Sequence, residues 1–90
     1  MTRIRWTIEA ADQLESIVNH IREDNPKAAS RVARTVLGRI AELRKFPAIG
    51  RPGEQKGTRE VVCPPFVIVY RLHEDVAEIL YVWHGAQDWR

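Results

Sequence analysis

Ninety residues, 44% hydrophobic and 29% charged with a formal net charge of +2, describe one domain with room for a single core. No apolar run approaches the ~20 residues that cross a bilayer, and the first residues carry no signal-peptide segment. The single cysteine, Cys63, excludes an internal disulfide and fits a reducing compartment, so the expected location is a bacterial-type cytoplasm.

Arg3-Ile4-Arg5-Trp6-Thr7 alternates polar and apolar residues, the pattern of a short strand. Thr7 is placed to cap a helix from about Ile8, with Glu9 and Asp12 in a first turn that favours acids. Ala10, Leu14, Ile17, Val18 and Ile21 recur at helical spacing and form one apolar stripe, with His20 beside it as a boundary residue. Asn25-Pro26 stops that helix and starts another, since Asn is a good N-cap and Pro loses nothing at the first helical position. Ala29, Val32, Ala33, Val36, Leu37, Ile40 and Leu43 line the second helix on one face. So short a break predicts an antiparallel helical hairpin.

Two prolines and two glycines between Phe46 and Gly53 predict an irregular stretch, continued by an exposed loop over Glu54–Gly57. Three runs rich in Val, Ile, Tyr, Phe and Trp follow: Arg59–Cys63, Phe66–Leu72 and Val76–Trp83. Pro64-Pro65 separates the first two and His73-Glu74-Asp75 the last two, which predicts an antiparallel meander. The order is β-α-α-β-β-β, an α+β fold with the hairpin on one face of an antiparallel sheet and the other face free. Residues 1–90 form a single domain. Leu14, Ile17, Val36, Ile40 and Ile68 are the expected core.

Charge is unevenly spread. Residues 27–59 hold nine basic groups against Glu42 and Glu54, a local +7, while both flanks are acidic. Such a middle third fits an anionic partner, nucleic acid or an acidic protein segment, or else a solvated helix face. Phosphate loops, dinucleotide fingerprints and zinc-spaced Cys/His sets are absent, so neither a cofactor nor a metal is expected. Cys63, in an apolar strand, reads as an inert core thiol. Arg59, Arg71 and His84 stand near strand ends. Brought to one rim, two guanidiniums and an imidazole would bind a phosphate and move protons in metal-free RNA cleavage. Alternatively, the arginines pair across the sheet with Glu60, Glu78 or Asp88.

Pro47-Ala48-Ile49-Gly50-Arg51-Pro52-Gly53, Gly57-Thr58-Arg59-Glu60-Val61-Val62, Ile68-Val69-Tyr70-Arg71 and Val82-Trp83-His84-Gly85-Ala86-Gln87-Asp88-Trp89 together resemble the RelE/ParE superfamily of toxins from bacterial type II toxin–antitoxin modules. The resemblance covers essentially the whole chain. It implies a growth-arresting toxin neutralised by a cognate antitoxin, with no membrane partner and no small-molecule substrate. Two mechanisms divide the superfamily: RelE-like toxins cut messenger RNA on the ribosome, and ParE-like toxins inhibit DNA gyrase. For the nuclease branch the matching catalytic residues here are Arg59, Arg71 and His84. Apolar Val67, however, stands where an early cation of the second meander strand is expected, and Arg71 comes late. Those departures and the Val82–Trp89 ending incline the resemblance to the ParE-like branch, with target contacts assigned to Arg51, Lys56 and Trp89. A remnant that binds antitoxin but has lost toxicity is a further alternative.

Overall fold

In a computed structural model, residues 1–85 are described. Strand β1 (Arg3–Trp6) leads into helices α1 (Ile8–Asp24) and α2 (Pro26–Ala41), and a 3₁₀ turn over Glu42–Arg44 ends the helical region. The chain then forms β2 (Arg51–Pro52), β3 (Thr58–Cys63), β4 (Phe66–His73) and β5 (Val76–His84). The sheet order is β1-β5-β4-β3-β2.

Both helix starts carry the caps expected of them. The Thr7 hydroxyl accepts from the Ala10 amide at 3.1 Å, and it also donates to the Ile79 carbonyl at 2.9 Å. One threonine thereby starts α1 and ties it to β5. Asn25 acts on two helices at once. Its amide donates to Ile21 O at 2.8 Å, closing α1, and its side chain accepts from Ala28 N at 3.0 Å, opening α2. Asn25→Ala is expected to cost about 1 kcal/mol in urea denaturation, with Asn25→Asp close to wild type. Equal losses in both variants would show that the cap carries no weight.

The hairpin packs on one face of the sheet. Val36, Ile40, Val61, Phe66, Ile68, Ile79 and Val82 meet there, all buried. Val36, Ile40 and Ile68 are core as expected. Leu14 and Ile17 are only half-buried against that cluster, and Ala10 and Leu43, both with no exposed surface, join it.

Two expectations are corrected. The stretch from Phe46 to Gly53 is not wholly irregular. Arg51 and Pro52 form the edge strand β2, paired antiparallel with Glu60 and Arg59. Proline is tolerated there because the outer side of an edge strand needs no amide donor. Nor is the sheet wholly antiparallel: β1 lies parallel to β5, from Arg3 beside Val76 to Trp6 beside Ile79. A crossover through two helices permits that pairing, whereas the short hairpins of the meander do not.

Beyond Ile79 the outer edge of β5 has no strand beside it among the described residues, and α1 packs along it instead. The Val82 amide donates to Gln13 Oε1 at 2.8 Å, a side chain standing in for a neighbouring strand. Across from this, β4 and β5 slip register by one residue, Val69 facing Tyr81 but Tyr70 facing Ile79. The β4–β5 turn is two residues long, and Glu74 takes a positive φ of 53° where Asn or Gly would be unstrained.

Candidate target and partner surfaces

Strand alternation decides where each candidate side chain goes. Val61 and Cys63 of β3 face the helices, and so therefore does Arg59, two residues earlier. Across the ladder Arg59 pairs with Tyr70, which shares that face. The Arg59 guanidinium donates to Gly50 O at 2.7 Å and Ala48 O at 3.3 Å. The Tyr70 hydroxyl donates to Pro47 O at 2.7 Å and accepts from Gly50 N at 3.0 Å. Four hydrogen bonds thus hold the 47–50 loop from beneath. Burial pushes the Tyr70 phenol above its ordinary value, against the opposing pull of the Gly50 amide and the Arg59 charge. Gly50 is fitted to this clamp. A Cβ there would lie 2.8 Å from the Tyr70 ring and 2.9 Å from Glu60 O.

Arg71, one residue after Tyr70, faces the opposite, helix-free side, between Thr58 and Glu78 in the ladder. Glu78 is engaged by Arg5 at 3.5 Å and His73 at 3.2 Å, and among the described residues no carboxylate lies within ion-pair distance of Arg71. Further along that face, past Glu60, lie Val62, Val67 and Val69 beside the stacked rings of Tyr81 and Trp83, 4.7 Å apart.

His84 lies elsewhere. It packs edge-on against Phe66, ring centroids 5.4 Å apart, on the helix side. Arg71 is level with Glu78, so His84 stands six residues further along β5, about 20 Å away at ~3.3 Å per residue. The structure therefore brings Arg59 and Arg71 to one end of the sheet on opposite faces, and places His84 at the other end. Nor do the arginines pair with Glu60 or Glu78 as the alternative had it, and Asp88, its third partner, lies outside the described residues.

Arg51 is the cation that takes Glu60, donating through Nε and lying within 3.1 Å through Nη2. Glu60 is 7% exposed, a buried carboxylate held by an otherwise open arginine. Lys56 is exposed in the turn before β3. Trp89, the third candidate for target contact, lies outside the described residues. Cys63 is buried, and burial raises its thiol above the ordinary value despite the nearby Arg39 charge.

The other feature of the helix side is a groove of about 740 Å³ between the hairpin and the far end of the sheet, floored by Ile17, Ile21, Val32, Phe66 and Val82, with His84 at its edge. Along α2, Lys27, Arg31 and Arg34 are exposed on one stripe. Among the described residues no three His, Cys, Asp or Glu side chains cluster as metal ligands, and no helix is long and apolar enough to cross a membrane.

Residues 4–89 match the family described as ParE toxin of type II toxin–antitoxin system, parDE. The chain is 45% identical over 89 residues to putative toxin Y4kP of Sinorhizobium fredii, covering 97% of this chain and 92% of that protein. It is 30% identical over 87 residues to toxin RelE2 of Caulobacter vibrioides, covering 97% and 99% respectively. The fold superposes with a TM-score of 0.82 on a chain of the chromosomal ParDE toxin–antitoxin system from P. aeruginosa, at 25% identity and with 93% and 96% coverage. A helical hairpin on a five-stranded sheet, matched end to end by toxins of this kind, places the chain in the ParE toxin family of type II toxin–antitoxin systems.

Proposed function

We propose that this toxin arrests growth by binding and inhibiting DNA gyrase rather than by cutting messenger RNA. The dispersal of Arg59, Arg71 and His84 carries the reading. In-line attack by an RNA 2′-hydroxyl needs a base, an acid and a cation around one phosphate, each within hydrogen-bond reach. Here Arg59 is committed to loop carbonyls, Arg71 faces away from it, and His84 stands about 20 Å along the sheet. Where a further cation would help, the free face has buried Val67. General acid–base groups contribute ~10²–10⁴-fold each, so a scattered set leaves little nuclease.

A cognate antitoxin is the second partner. Its apolar segment would fill the groove between hairpin and sheet, and its acidic residues would meet the α2 cations. The nuclease alternative draws on the 30% identity to toxin RelE2. Expressing the toxin while following plasmid supercoiling and transcripts in the same cells separates the two. Supercoiling is expected to fail first, with transcripts intact. Codon-positioned cuts that vanish in a His84→Ala variant would overturn the gyrase reading. A chain that binds antitoxin but never slows growth would be a remnant.

A further inference from the structure

The clamp beneath the 47–50 loop has an upper side. Phe46 and Ile49 flank a turn closed by the Ile49 amide on Phe46 O at 3.1 Å, and they are 60% and 50% exposed. Ile8 and Leu37 are also open, but Phe46 and Ile49 are two large apolar side chains exposed on one turn, a paired rather than scattered exposure. The turn is also rigid for a loop, because Arg59 and Tyr70 hold three of its carbonyls and one amide from below. In sequence Arg44 and Lys45 precede it and Arg51 and Lys56 follow it, all exposed, with Arg51 already paired to Glu60. Preorganised apolar anchors flanked by cations have the anatomy of an interface hot spot.

We propose that the Phe46–Ile49 turn is the knob by which the toxin engages its target, and that the receiving surface is a protein hollow with an apolar floor and carboxylates around its rim. The aliphatic and proline content of the turn favours a protein over nucleic acid, since a stacked base needs a flat aromatic platform and this turn offers one ring on a convex tip. The choice of target rests on the gyrase reading. Arg59 and Tyr70 then act as positioning residues for a contact they never touch.

The test pairs Phe46→Ser/Ile49→Ser with wild type in a purified gyrase supercoiling assay, in cells for growth arrest, and for melting temperature and antitoxin co-purification. Gyrase inhibition should weaken at least about tenfold, with melting and antitoxin binding unchanged. Lys45→Glu should weaken it at low salt, and by less as salt rises. Inhibition by the double variant equal to wild type overturns the proposal, as does simultaneous loss of antitoxin binding. No loss in Lys45→Glu at low salt overturns the acidic rim. If wild type itself leaves gyrase untouched, the gyrase reading fails, and growth arrest then reads the knob alone: arrest lost in the double variant upholds it, and arrest retained overturns it. Parallel loss of binding to a fluorescent single-stranded RNA would assign the turn to nucleic acid and overturn the protein partner.

Discussion

Ile68→Ala is expected to lower the unfolding free energy by about 3–5 kcal/mol, measured by urea denaturation at neutral pH. Ile68 has no exposed surface and lies in the central strand β4, with Val61 and Val82 beside it and the hairpin above. Removing three carbons there forfeits their transfer energy and leaves a cavity the sheet backbone cannot close. A domain with ~5–15 kcal/mol in total would lose a large share. Leu14→Ala, half-buried at the margin of the cluster, should cost distinctly less. An unchanged midpoint for Ile68→Ala would mean that the hairpin is not seated on this face.

Tyr70→Phe should cost about 1–3 kcal/mol at neutral pH, because it strips the Gly50 amide and Pro47 carbonyl of a partner while keeping the ring. Its pH dependence distinguishes this loss from simple repacking. The folded phenol titrates above its ordinary value of 10.0, so the unfolded chain releases its proton first. Stability from the neutral phenol is therefore complete below about pH 10 and falls as pH rises through the folded value. The Cys63 thiol, raised above 9.0, acts with the same sign slightly earlier. Wild type should weaken from about pH 9 upward, and Tyr70→Phe less steeply, so the gap between them narrows by about pH 11. A gap that widens with alkali would show that the phenol is not held in its neutral form.

Much of the fold was legible because burial periodicity is local. Ala10, Leu14 and Ile17 mark a helix, and Phe66 to Leu72 a strand, without knowledge of their neighbours. Thr7 and Asn25 announce helix starts for the same reason. The parallel pairing of β1 was not legible, since four residues beside a helix carry no sign of which distant strand they join. Nor was β2, two residues long and including Pro52.

The site was partly within reach. Counting back by twos from Val61 and Cys63 puts Arg59 on the helix side, and a tyrosine inside a buried strand implies a partner for its hydroxyl. What no local pattern shows is that both side chains point at the same four residues of loop. That depends on where β2 docks, and hence on the Arg51–Glu60 pair.

The pairing of β1 with β5 also bears on how the chain comes into being. Among the described residues Arg3 to Trp6 have their strand neighbours at Val76 to Ile79, and Thr7 ties the first helix to the same segment. During synthesis the two helices, built from near contacts, pair once residue 41 has emerged, while the face that packs on the sheet stays uncovered. The first strand waits until β5 has emerged. A chain released early, short of β5, has no neighbour for β1, no floor beneath α1 and no second side to β4. A chain released before β5 therefore holds helices without the sheet they pack on, and the folded toxin forms only after that strand has emerged.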